Sequence, residues 1–308
     1  MTSPRNGAAV RVESPTELRN PRTLDIDRMS TLDMLRAINA EDHVVPDAVA
    51  AVLPELARAA DLAVAALRAG GRVHYVGAGT SGRLATLDAA ELVPTFNTPP
   101  DLFLAHHAGG PEALVRALEN VEDEGGSGAA TIRQHASAGD LVLGVTASGR
   151  TPFVVGALQE ARALGARTVL VSNNPNAPAP VEVDVLIALD TGPEAIAGST
   201  RMKAGSSQKL VLTSFSTAVM VRLGRTYSNL MVSMRATNAK LRGRTVRILR
   251  EATGLAEQEC TDALAEAGGD LKVALVHLLS GASTAQAAEA LASSEGHVRQ
   301  ALVALNDG

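Results

Sequence analysis

Apolar residues along this chain follow two alternating rhythms. Five short runs, "RVHYVG" (72–77), "DLFLAH" (101–106), "DLVLGVT" (140–146), "RTVLVS" (167–172) and "DVLIAL" (184–189), are apolar at successive positions rather than at every second one. Strands buried on both faces read that way. Helical stretches lie between most of them, so the pattern predicts an α/β fold: a five-stranded parallel sheet flanked by helices on both faces. Before the sheet, a short helix follows Ser30 and a longer one runs from about Pro46 to Leu67, with Gly70 and Gly71 beyond its end as a stop signal. After it, the span 198–224 reads as a loop running into a long helix, with Arg201 and Lys203 near its start. The last stretch changes character again, with Gly268-Gly269 between two short amphipathic helices and another pair from Ser283. The expected division is an arm and short helix over 1–45, a sheet domain over 46–245 and a small helical module over 246–308. Residues 1–29 are polar, carry Pro4, Pro15 and Pro21, and have no core of their own, so order there needs a surface to lie on.

Composition narrows the classes. With 308 residues and 46% hydrophobic content the chain can build a real core, but only 2% is aromatic and Trp is absent. The core must therefore be Ala, Leu and Val, and there are few platforms on which nucleic-acid bases could stack. A net charge of -5 without a long single-sign block argues against a polyanionic partner while leaving room for local phosphate pockets. The N-terminus lacks the apolar core of a signal peptide, and the apolar run from Leu210 to Val221 is too short for a bilayer, which needs about 20 residues. No membrane and no nucleic acid are expected as partners, and a cytoplasmic location fits. The lone Cys260 cannot form an intrachain disulfide and reads as a core filler. His106 and His107 are adjacent, and no pair four apart occurs among His43, His74, His135, His277 and His297, so no metal site is expected.

Chemistry concentrates where strands should end. "GAGTSGR" (77–83) follows the first strand and "TASGRT" (146–151) the third, each offering glycine for close backbone approach and hydroxyls as donors. In open parallel sheets, ligands sit beyond the carboxyl ends of the strands, where helix N-termini point free N–H groups. The first loop has neither the spacing of a dinucleotide fingerprint nor the Gly-Lys-Ser/Thr ending of a nucleotide loop, so a sugar phosphate suits the pair better. Thr80, Ser81, Ser148 and Thr151 are the expected phosphate donors. Arg83 and Arg150 leave two readings open: phosphate contact, or capping of a carboxylate or a surface position. Arg201 and Lys203, cations near the start of a helix whose dipole opposes them, ask either for an anionic ligand or for a facing carboxylate, or else are solvated.

Four segments taken together, "GAGTSGRLATLDAAELVPTF", "ASGRTPFVVGAL", "GSTRMKAGSSQKLVL" and "ATNAKLRGR", resemble the N-acetylmuramic acid 6-phosphate etherases, a branch of the sugar isomerase (SIS) domain superfamily. The similarity spans nearly the whole chain. The arm looks like the family's N-terminal segment, and "GGDLKVALVHLL" looks like its three-helix, UBA-like module. The resemblance implies cleavage of the D-lactyl ether at C3 of N-acetylmuramic acid 6-phosphate, giving N-acetylglucosamine 6-phosphate and D-lactate. An ether is a poor electrophile, but with the sugar ring open the C1 aldehyde acidifies the C2 proton and elimination becomes feasible. That route needs a base at C2 and an acid at the departing oxygen, which two carboxylates in different environments supply without a cofactor.

By the resemblance these are Glu91, in "LDAAE" where the family usually has "LDASE", as acid, and Glu122, the first of the "ED" pair, as base. Glu194 is a third matching acid, implied to orient the sugar. Glu91 lies about ten residues into the helix after the first loop, roughly 15 Å along it, so a site shared between subunits of a homodimer is the expected assembly. Two rivals share the loops: a binding regulator like the glucokinase regulatory protein, which has tandem SIS domains where this chain has one set of strands, and an aldose-ketose isomerase, which has no use for an acid at C3.

Overall fold

The computed structural model describes residues 14–176, 179–234 and 239–306. Residues 1–13 of the arm and 236–238 of the "ATNAKLRGR" segment lie outside these. From residue 14, three short 3-10 turns (Pro15–Glu17, Pro21–Thr23, Ile26–Arg28) lead to helices α1 (Thr31–Asp42), α2 (Val44–Ala50) and α3 (Leu53–Arg68). The single helix expected over about 46–67 is two, because Pro54 cannot donate into a continuing helix and instead opens the first turn of α3. There follow β1 (Val73–Gly77), α4 (Gly79–Phe96), β2 (Phe103–His107), α5 (Gly110–Val115), α6 (Gly125–His135), β3 (Leu141–Thr146), α7 (Pro152–Leu164), β4 (Arg167–Ser172) and β5 (Val185–Ala188).

All five strands pair in parallel in the order β2-β1-β3-β4-β5. Every residue of β1 and β3 is buried, which is why their apolar runs do not alternate. On one face α3, α4 and α8 (Lys203–Arg222) bury Leu56, Val64, Ala85, Leu92, Val211 and Phe215. Three of the scarce aromatics meet there: the rings of Tyr75, Phe103 and Phe215 lie 5.7 to 6.5 Å apart. On the other face α6 and α7 bury Ile132, Val154, Leu158 and Ala161. Among the described residues no helix is long and apolar enough to cross a membrane.

Beyond α8 a two-stranded ladder, β6 (Thr226–Tyr227) with β7 (Leu230–Met231), precedes α9 (Ala239–Thr253), α10 (Glu257–Glu266), α11 (Leu271–Ser280), α12 (Thr284–Ser293) and α13 (Val298–Asn306). These helices enclose a separate core in which Cys260 is fully buried beside Leu249, Leu271, Leu275 and Val298. That core begins upstream of the boundary expected at residue 246: it takes in Val232 and Met234, and α9 runs through residue 246 unbroken.

Candidate functional site

The first loop is shaped by backbone contact between strand end and helix. A Cβ on Gly82 would sit 2.5 Å from the His107 ring and 2.6 Å from the Gly77 carbonyl oxygen, so only glycine lets α4 start directly against β1. The N-terminus of α4 has no side-chain cap, and neither does that of α7, whose first turn is set by Pro152. Both helices therefore offer free N–H groups beyond the carboxyl edge of the sheet. At the second loop the Thr146 hydroxyl lies 2.7 Å from that of Thr151 and 3.3 Å from that of Ser148, and the Arg150 N–H donates to the Ser148 hydroxyl at 3.2 Å.

Between the two loops lies a cleft of about 270 Å³. Thr80, Ser81, Ser148 and Thr151 all line it, and so does Glu122, held in a 3-10 turn (Val121–Asp123) that follows Asn120 in the left-handed region at φ 64°. Thr146 and Thr200 complete the hydroxyl lining. The arm closes one side: Thr16 and Glu17 border the cleft, and the Gly198 N–H donates to the Thr16 carbonyl at 2.9 Å. For the described part of the arm, from residue 14, a surface is thus supplied by its own chain. Glu17 is a second carboxylate on this cleft, and sequence reasoning missed it because nothing local marks it.

Two of the expected site acids lie elsewhere. Glu91 is exposed on α4, outside the lining of its own chain's cleft. Glu194 is fully buried, and its two oxygens accept the N–H groups of Lys203 and Ala204 at 2.9 Å each. It caps α8 and occupies the anion position of that helix itself. Burial pushes its pKa up, against the pull of those two bonds. Asp88, beside Glu91 in sequence, is likewise taken: it accepts from the Tyr75 hydroxyl at 3.0 Å and from Ser216 at 3.1 Å.

The open readings of the cations resolve differently. Arg83 donates to the carbonyls of Ala113, Leu114 and Arg116 and so binds the end of α5 rather than facing the cleft. Arg150 is exposed, as is Arg201. Lys203 finds a facing carboxylate: its ammonium donates to Glu41 at 2.8 Å, both side chains all but buried. Glu41 also accepts from Asn20 at 2.6 Å and from both the Nε and Nη2 of Arg22. The Arg22 bonds, with help from Lys203 and Asn20, hold its pKa down to about 2 against the effect of burial. This cluster ties arm, α1 and α8 together.

A directed chain of hydrogen bonds sets the proton of Ser81. The Ala204 carbonyl can only accept, so Ser207 donates to it at 2.8 Å and must itself accept, from the Asn173 amide at 2.8 Å. Asn173 then accepts from the Gln208 amide at 2.9 Å, which turns the Gln208 carbonyl toward Ser81 at 2.8 Å. The Ser81 hydroxyl therefore donates inward and shows the cleft only its lone pairs. Besides Ser81, the expected donors Thr80, Ser148 and Thr151 and the uncapped starts of α4 and α7 border the cleft.

The comparisons with known proteins agree with this architecture. Residues 55–162 match the family model described as the glucokinase regulatory protein N-terminal SIS domain, and residues 120–218 match that of the SIS domain. A Thermobifida fusca protein named N-acetylmuramic acid 6-phosphate etherase is 63% identical over 87% of this chain and 88% of its own. One of the same name from Symbiobacterium thermophilum is 54% identical over 86% and 89%. A phosphoheptose isomerase from Francisella tularensis, at 20% identity, shares the fold with a TM-score of 0.52, covering 63% of this chain and all of its own.

Proposed function

The chain belongs to the N-acetylmuramic acid 6-phosphate etherase family, and from that premise we propose how its cleft carries out the reaction. The enzyme is a carbon-oxygen lyase that cleaves the D-lactyl ether of N-acetylmuramic acid 6-phosphate to N-acetylglucosamine 6-phosphate and D-lactate. The observation that carries the assignment to this cleft is the meeting of two uncapped helix N-termini, the hydroxyls of Thr80, Ser81, Ser148 and Thr151, and Glu122 around a space of sugar-phosphate size. The phosphate lies against Thr80, Ser148, Thr151 and the N–H groups of α4 and α7. Ser81 accepts a hydroxyl of the substrate. With the ring open, Glu122 removes the C2 proton; the electrons form the C2–C3 double bond and expel the lactyl oxygen from C3, which takes a proton from an acid. Water then adds to C3, and Glu122 returns a proton to C2.

The acid is Glu91 of a second subunit. Its exposed position outside its own cleft supports that arrangement, as does its place on one stripe of α4 with Leu84 and the half-exposed Leu87. The assembly is then a homodimer whose sites are completed across the interface, working in the cytoplasm. One observation favours a second reading, in which Glu17 supplies the acid within one chain: it lines the same cleft as Glu122. Supplying the purified protein with N-acetylmuramic acid 6-phosphate and assaying D-lactate tests the reaction itself. Release that ceases in Glu122→Gln is expected; intact, bound sugar phosphate with no lactate overturns the lyase reading. Comparing Glu91→Gln with Glu17→Gln decides the acid, the true one losing about 100-fold or more.

A further inference from the structure

A cavity of about 850 Å³ lies where the end of α8 meets the C-terminal helices. It is remote from the cleft: α4 starts at the cleft with Gly79 and ends beside this cavity with Asn97, a helix of 18 residues and so roughly 27 Å long. Three cations line it, Arg225, Arg242 and Lys272. Among the described residues the guanidiniums of Arg225 and Arg242 have neither hydrogen bond nor ion pair, and burial lowers the Arg225 pKa. The Lys272 ammonium donates to the Gly296 carbonyl at 2.8 Å, and burial, then the Arg225 charge, brings its pKa to about 8.

The opposing charge is smaller. Asp270 is the acid among the lining residues, and it is engaged as the cap of α11, accepting from the N–H groups of Lys272 and Val273 at 2.9 and 3.1 Å. The carbonyl ends of α4 and α8 add about half a negative charge each, which leaves the cavity positive. The Ser233 hydroxyl, on its wall, is buried and has no hydrogen-bond partner among the described residues. An unpaired guanidinium withdrawn from water and an unsatisfied buried hydroxyl each cost free energy, and a single oxyanion relieves both.

We propose that this cavity is a second ligand site, which binds the phosphate group of a small phosphate monoester through Arg225, Arg242, Lys272 and the Ser233 hydroxyl. A phosphate monoester has three terminal oxygens to divide among these donors, where a carboxylate has two. The ligand's body lies against Val232, Met234, Val246 and Leu264. Because the walls come from both the sheet domain and the helical module, an occupied site braces one against the other.

Equilibrium dialysis of the full chain with N-acetylglucosamine 6-phosphate tests this apart from catalysis. Two sites per chain are expected. Ser148→Ala weakens one; Arg225→Gln weakens the other about tenfold or more while the initial rate of lactate release at low substrate stays unchanged. Arg242→Gln, at an exposed position, repeats the loss if Arg225→Gln unfolds, which a thermal melt reports. Inorganic phosphate displaces ligand from the second site and D-lactate does not. A single site in the wild-type chain, a second site that neither arginine variant weakens, or equal displacement by D-lactate overturns the proposal.

Discussion

Glu41 joins the arm, α1 and α8 at one point, and its chemistry makes acid stability measurable. Glu41→Gln leaves the Lys203 ammonium buried beside a neutral amide, so a loss of about 3–5 kcal/mol is expected in denaturant unfolding. Its carboxyl has a folded pKa of about 2 against an ordinary 4.5, so between those values the unfolded chain binds the extra proton. The stabilisation is complete above pH 4.5 and disappears as pH falls toward 2. A second acid-sensitive group sits at the sheet edge. His74 stacks on His106 and His106 on His135, with ring centroids 5.3 and 5.2 Å apart, and the other nitrogen of His74 faces Asp140 at 3.2 Å. Burial, then the neighbouring imidazoles, lowers the His106 pKa from 6.5 to about 4. Again the unfolded chain takes up protons first, so stability is full above pH 6.5 and declines toward pH 4. Unfolding midpoints from pH 8 to 3 should thus fall in two stages; Glu41→Gln removes the lower stage and His106→Asn flattens the upper. A midpoint that stays constant down to pH 4 contradicts this account.

At the scale of elements, the pair α6 and α7 is where the site is most exposed to strain. A Cβ on Gly156 of α7 would lie 2.0 Å from the Gly125 carbonyl oxygen, and one on Gly128 of α6 would lie 1.9 Å from that of Phe153. Backbone cannot yield as a side chain tip can. Gly156→Ala must push apart the helix that begins at the second loop and the helix that follows Glu122, with a stability loss of at least about 1–3 kcal/mol and a fall in turnover. Gly126→Ala, with nothing within 4 Å of its Cβ, is the matched control and should be neutral or slightly stabilising; equal effects of the two would discount the close approach. Elements of this kind were also the most legible in the sequence. The five strands announce themselves as apolar runs because a sheet covered on both faces needs no polar alternation. The hydroxyls of both loops could be read because each loop is local, a strand end joined to a helix start. The break at Ala51 and Val52 is harder to see, because Pro54 alone marks it within a strong helical pattern. What the sequence hid is long-range: Glu17 reaching the cleft, Glu41 meeting Lys203, His74 meeting His106, and Gln208 turning the proton of Ser81 are all encounters between distant segments with no spacing to betray them.

For the molecule as a whole, the cleft of one chain holds Glu122 but not Glu91, and the shared-site reading turns that into a mixing experiment. If each site takes Glu122 from one subunit and Glu91 from the other, combining the inactive Glu91→Gln and Glu122→Gln proteins makes hybrids with one intact site, and about a quarter of wild-type activity returns under random exchange. No recovery, with exchange of subunits verified, would leave the acid to Glu17 or another group of the same chain. The central claim, elimination begun by Glu122 at C2, is tested most directly by running the reaction in deuterated water and reading C2 of the sugar by NMR. The N-acetylglucosamine 6-phosphate formed should carry deuterium at C2, and Glu122→Gln should give neither product nor exchange into substrate. Product retaining its original hydrogen at C2, or exchange that persists in Glu122→Gln, would contradict it.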